Sequence, residues 1–247
     1  MAARQLHPTP MTTNAPPQPA RSGQEPTLPY GSQRRITLLQ HNAGLWEGSF
    51  IRLDGQGHEL DRFASHLEVQ ERTIGPEDFA LPEIEAALTN GSSGAVRTMR
   101  FREPPSEMQI SPDGHWSLGP SRIGPWTWVS ELCVVLGDRR RRVVIELAAD
   151  GLSSLVYVNE GRPGRQDPVP PAPLRLPPPT TVWQANGLSL LRWQPEADVQ
   201  IDIPLQRQPD QPQMVALQWQ PAWARQGARI ERRHDRYGLL ESISASA

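Results

Sequence analysis

The stretch from Trp126 to Glu160 constrains this chain more than any other. Three runs rich in valine, leucine and aromatic residues are separated there by Gly137-Asp138 and Asp150-Gly151. Apolar runs punctuated by Gly/Asp turns predict an antiparallel meander. Strand side chains alternate with period two, so Trp126, Trp128, Leu132, Val134 and Leu136 share one face of the first run. Val143, Ile145 and Leu147 share a face of the second, and Leu152, Val156 and Val158 nearly do in the third. Adjacent strands with one apolar face each form the wall of a barrel or sandwich.

The same pattern extends upstream. Arg34 to Ala43 has helical spacing, and Trp46 to Leu53 reads as a strand. His58 to Thr73 is a long strand with Phe63, Leu67 and Val69 on one face and charges on the other, the alternation of a sheet wetted on one side. Pro76 to Leu88 has helical spacing and reads as an insertion loop carrying a short helix. Strand signals return at Val96 to Phe101, Met108 to Ile110 and His115 to Leu118. The fold class is therefore all-β: an up-and-down β-barrel of about eight strands, followed by a smaller second β-domain. The predicted boundaries are a disordered tail over 1–33, a barrel over 34–162, a Pro-rich linker over 163–180 and a truncated β-domain over 181–247. Proline cannot donate to a ladder, which motivates the linker. Asn186-Gly187 marks a hairpin in the last part, where six strands are expected, ending with Leu239 to Ser244.

Composition excludes several chemistries. All 25 basic residues are arginine, so no lysine can act as a Schiff-base amine. The single cysteine, Cys133, precludes an internal disulfide and a thiolate zinc cluster. The histidines form no HxH or HExxH set, so no metal site is predicted, and no cofactor motif is present. A formal net charge of -2 gives no overall attraction to nucleic acid. No run has the roughly 20 apolar residues of a membrane helix. The acid-poor N-terminus leaves a cytoplasmic location and a plastid transit peptide both open.

Leu38-Leu39-Gln40-His41-Asn42, Gly44-x-Trp46-x-Gly48-Ser49-Phe50, Gly124-Pro125-Trp126, Glu131-Leu132 and Gly137-Asp138-Arg139-Arg140 together resemble an uncharacterised calycin-type (lipocalin-like) family of cyanobacteria and chloroplasts. A plant member is a biogenesis factor required for ATP synthase. The resemblance covers Leu38 to Gly164 and, beyond it, only the last hairpin. It implies a non-enzymatic scaffold that assists assembly of a photosynthetic complex such as ATP synthase, with the synthase head subunits as partner, near the thylakoid. Two other readings stay open. One is a binding module for an apolar carboxylate, a bilin or a fatty acid; the other is a bilin-lyase-like chaperone.

Candidate site residues follow. Gly44 and Trp46 are the expected barrel plug, and the resemblance implies a late-strand arginine on the tryptophan. If Val143 and Ile145 point inward, that arginine is Arg141, while Arg139, Arg140 and Arg142 form an outward edge for an acidic partner. Phe50, Trp116, Trp126 and Trp128 are the candidate ligand-lining residues. Cys133 is expected to be a structural thiol.

Overall fold

The computed structural model describes residues 30–72, 82–178, 182–185, 187–205 and 210–242. Among these described residues the regular structure is almost entirely β. One helix, α1 (Tyr30–Asn42), precedes β1 (Gly44–Asp54), β2 (Glu59–Arg72), β3 (Glu83–Asn90), β4 (Val96–Phe101), β5 (Gln109–Ile110), β6 (Trp116–Leu118), β7 (Trp128–Leu136), β8 (Arg139–Ala148) and β9 (Gly151–Gly161). These nine strands form one antiparallel sheet in the order β4-β3-β2-β1-β9-β8-β7-β6-β5. The first and last strands, β1 and β9, pair side by side. Read round the curve, every neighbouring pair is hydrogen-bonded except β4 and β5. The sheet is thus a barrel with one open seam.

The second sheet holds β10 (Val182–Ala185), β11 (Leu188–Trp193), β12 (Val199–Pro204), β13 (Gln213–Trp219) and β14 (Ala228–His234) in sequential order. Among the described residues five strands stand where six were expected, and the last two positions of the sixth, 243 and 244, lie outside them. Leu239 and Leu240 make isolated bridges to Arg122 and His234 instead of a strand. The other correction to the strand count is β3. The segment read as a short helix pairs with β2 from Glu83 to Asn90. Its Ile84, Ala86 and Leu88 satisfy a period of two, and the sheet edge offered by β2 decides between the periods. Residues 73–81 of that segment, and residues 1–29 of the predicted tail, lie outside the described residues. The tail's last positions belong to α1.

Two large apolar cores result, besides a small cluster of Leu188, Leu190 and Met214 in the second sheet. Inside the curved sheet lie Leu38, Trp46, Leu67, Val69, Ile84, Met108, Trp116, Cys133 and Val135. Outside it, a larger core fills the space between the two sheets. There Ile51, Leu53, Trp128, Leu132, Val134, Val143, Ile145, Leu147, Leu155 and Tyr157 meet Trp193, Val199, Ile201, Ile203, Val215, Leu217, Trp219 and Ile230. The faces of β7 and β8 that sequence marks as apolar therefore point out of the barrel, onto β13 and β14. β2 behaves as expected: Leu67 and Val69 point in, and its opposite face is wet.

The segment between the sheets contains no helix or strand from Arg162 to Pro178, in keeping with its proline content. It is nevertheless tied to the barrel wall. The Leu174 N–H donates to Glu59 Oε2 at 2.6 Å, Arg62 Nη1 donates to the Pro170 carbonyl at 2.7 Å, and the Leu176 N–H donates to the Gly57 carbonyl at 3.0 Å.

Candidate functional site

The alternation of β8 decides the site. Arg140 and Arg142 are two residues apart, share the face opposite Val143 and Ile145, and so point into the barrel. Both are buried. A buried guanidinium requires a partner, because an uncompensated charge in the interior costs several kcal/mol. The partner is Glu160 of β9, which pairs directly with Arg140 across the ladder. Its Oε2 accepts from Arg140 Nε at 2.6 Å and from Arg142 Nε at 3.0 Å, and its Oε1 accepts from Arg142 Nη2 at 3.1 Å. Arg142 Nη1 also donates to Glu131 Oε1 of β7 at 2.7 Å. Burial alone would raise the Glu160 carboxyl, but Arg140 and Arg142 outweigh it and hold the group down at about 2. Gly48 faces Glu160 across the ladder, and a Cβ there would fall 2.8 Å from the Glu160 Cγ and 2.0 Å from the Asn159 carbonyl oxygen. The second glycine of the Gly44-x-Trp46-x-Gly48 string thus makes room for the carboxylate.

Trp46 closes this end. Its ring is fully buried, and its Nε1 donates to the Asn42 carbonyl at 2.9 Å. Asn42 also accepts from Trp116 Nε1 at 3.1 Å through Oδ1 and donates to the Gly114 carbonyl at 3.0 Å. One asparagine at the end of α1 thus aligns both tryptophans. The Arg140 guanidinium lies 4.2 Å from the Trp46 ring centroid, and that of Arg162 lies 3.8 Å from it. Trp46→Ala should lower the unfolding free energy by about 3–5 kcal/mol in urea titrations, the range for emptying a buried aromatic site. A loss under about 1 kcal/mol would mean the surrounding side chains do not depend on the indole.

Between this ionic end and the seam lies a cavity of about 400 Å³. Its walls are mainly apolar, with Phe50, Leu67, Ile84, Met108, Trp116 and Val144 among them, and Arg140 and Arg142 line it too. Only Arg97, Thr98 and Met99 of the lining are exposed, so the cavity opens beside β4, at the seam. Nη2 of Arg140 has no hydrogen-bond partner among the described residues. The three guanidiniums at the closed end (Arg140, Arg142, Arg162) are met by three carboxylates, Glu131, Glu160 and, near Arg162, Asp138.

Several sequence expectations change places. Gly44 and Trp46 are at the plug, but the arginine on the indole is Arg140, with Arg162, and not Arg141. Arg141 points the other way, into the core between the sheets. Its guanidinium stacks 4.3 Å from the Trp219 ring and donates from Nη2 to Asp167 at 2.8 Å and Glu196 at 2.9 Å. Arg140 and Arg142 are not an outward edge. Arg139 alone of the three is partly exposed, and it is engaged by Asp167 at 3.2 Å. Phe50 and Trp116 line the cavity. Trp128 does not; it packs edge-on to His234 between the sheets, and Trp126 is 53% exposed outside the barrel. For the arginines and Trp128 the cause is common: the second sheet covers the outer wall, so the most apolar face is the outer one. Cys133 lies in the barrel core, where burial pushes its thiol up to about 12.

Glu160 and Arg162 were not singled out from sequence, and Asn42 and Glu131 stood only in the resemblance motifs, without a site role. A signal existed for Glu131. The two-residue turn Gly137-Asp138 sets Cys133 opposite Arg142, which puts Glu131 on the same face as both inward arginines.

A crystal structure of a protein of unknown function from the DUF3598 family of Nostoc punctiforme PCC 73102 is similar, with a TM-score of 0.62 over 84% of this chain and 95% of that one. The two share a fold. Sequence identity is 18%, so the likeness extends to architecture and carries no activity with it. No family model and no curated protein matches the chain. Among the described residues no helix is long and apolar enough to cross a membrane, and no group of three or more His, Cys, Asp or Glu residues is placed to hold a metal ion.

Proposed function

We propose that the chain is a non-enzymatic binding module whose barrel cavity takes an apolar small molecule with one acid group. The observation that carries this reading is Arg140: a buried cation at the end of an apolar cavity, with one N–H group unpartnered. A carboxylate at Nη2 would satisfy that donor, while an acyl chain would lie along Phe50, Leu67 and Ile84 toward the seam. The volume sits at the lower end of the roughly 300–1,000 Å³ usual for ligand pockets. A single-chain fatty acid suits it, whereas a tetrapyrrole would protrude from the seam. The raised thiol of Cys133 supports binding over catalysis, because the thiol is the weaker nucleophile. The assembly-factor role rests on the resemblance, and the outward arginine edge offered for its acidic partner is not formed, since two of those three arginines are inside.

Titration with cis-parinaric acid and with its methyl ester tests this. The acid should saturate one site and bind about ten- to a hundred-fold more tightly than the ester, the worth of a charge-assisted hydrogen bond. Arg140→Met should bring the two affinities together. Equal affinities in the unaltered protein would remove the anchor, and no binding of either would remove the function.

A further inference from the structure

The cavity has a guanidinium at its opening as well as at its closed end. Arg97 of β4 lines it there. Its place on the inner face follows from register. Arg97 pairs with Leu88, Leu88 pairs with Leu67, and both leucines line the cavity too. Partners across a ladder share a face. Arg97, Met99 and Phe101 therefore form one inward row, and Arg97 is the charge in it.

The acids of this region are placed elsewhere. Glu68 stands between the inward Leu67 and Val69 and so points out of the barrel. Glu83 and Glu85 flank the inward Ile84 and pair on the outer side with Arg102 and with Arg72 and Arg100. Glu71 is held by Arg35, and Glu103 comes two positions after the end of β4. Glu131 is the one carboxylate of the cavity lining, and Arg142 takes it. Among the described residues the Arg97 side chain makes no hydrogen bond or ion pair.

Arg140 offers Nη2 at the other end. In the nine-stranded order β8 stands five ladder steps from β4, so the two arginines enter the cavity from opposite walls. With strands about 4.8 Å apart, such a ring is roughly 15 Å across, which an acyl chain bridges and a succinate does not. The wall between them is apolar, with Phe50, Leu67, Ile84, Ala86 and Leu88.

We propose that the ligand carries an acid group at each end, as an α,ω-dicarboxylic acid does. One carboxylate pairs with Arg140 at the closed end, and the other pairs with Arg97 at the opening. This rests on the binding function proposed above and narrows its ligand class. A second carboxylate at the opening keeps contact with water, so pairing there avoids the cost of burying a charge. Arg97 is then the residue that sets the preference for two acids, and the apolar span sets the chain length.

The test is calorimetric titration of the full chain with dodecanoic acid, dodecanedioic acid and succinate. The diacid should bind at least as tightly as the monoacid, and succinate should not bind. Arg97→Gln should weaken the diacid about five- to ten-fold, the worth of a charge-assisted pair still open to water, and leave the monoacid unchanged. Its thermal midpoint should not move, as for an exposed position outside any ion pair. Arg100→Gln, on the same strand but facing outward, should leave both affinities unchanged. Binding of the monoacid without the diacid overturns the second anchor and leaves the binding function standing. Equal losses for both acids in Arg97→Gln overturn it too, because they report general attraction at the opening. So does an unchanged diacid affinity in Arg97→Gln, or binding of succinate. Failure of both long-chain acids sinks the binding function, and this narrowing with it.

Discussion

A chain ending at Pro178 should not fold. Such a truncation keeps all nine strands of the barrel, yet strips the cover from Trp128, Leu132, Val134, Val143, Ile145, Leu147 and Leu155. Each large apolar side chain gains about 1.5–3 kcal/mol from full burial, so re-exposing seven of them rivals the roughly 5–15 kcal/mol that keeps a domain folded. Arg141 would lose Glu196 and the Trp219 ring as well. The expected product of expression is aggregated, or soluble with far-ultraviolet strand signal and no cooperative melt. Full-length protein should melt in one transition. A truncated chain that is monomeric and unfolds cooperatively would show that the barrel stands without the second sheet.

The second large effect is at Glu160. Glu160→Gln keeps the shape of the side chain and removes its charge, leaving Arg140 and Arg142 with a neutral acceptor and Glu131 alone. Breaking a buried pair in this way costs about 3–5 kcal/mol. The pH dependence has a definite sign. The two arginines overcome burial to lower the carboxyl from the ordinary 4.5 to about 2, so its stabilisation is present above pH 4.5 and is lost as pH falls through about 2. Urea midpoints taken at falling pH should therefore decline in this window for the unaltered protein, and the contribution should be missing from Glu160→Gln. Equal stability of the two at pH 7 would mean that the ionic row is not what holds β8 against β9. Replacement of Arg140, Glu160 and Arg142 together by apolar residues should recover part of the loss, since the desolvation cost disappears with the charges.

Much of this architecture was legible from residue order. The meander of β7, β8 and β9, the pairing face of β2 and most strand positions follow from local alternation and turn residues. The alternation along β8 was also legible: Arg140 and Arg142 on one face, Arg141 with Val143 and Ile145 on the other. Which face points inward was not. Apolar faces point inward only where the outside is wet, and whether a second sheet covers β8 is decided by β13 and β14, some 70 to 90 residues later. The same distance hid the partner of Arg141, since Trp219 and Glu196 reach it only through that packing. The open seam had no local signature either: β4 looks like any edge strand until the ladder is followed round. The misreading of β3 was local, where Ile84 and Leu88 fit a spacing of four as well as one of two, and Pro82 stands one position before the strand begins.

The belt from Arg162 to Pro178 sets an order of events during synthesis. β1 to β9 can pair once residue 161 has left the ribosome, but the strands that cover their outer wall are still being made. At ~5–20 residues per second, the roughly 70 residues from there to Ile230 take about 4–14 seconds. For that interval the nascent chain carries the nine barrel strands unfinished, with Trp128, Leu132, Val143 and Ile145 still without their cover. This interval is when a holdase chaperone would recognise the chain. Slowing translation within the belt would lengthen it, so the codons of that proline-rich stretch bear on yield.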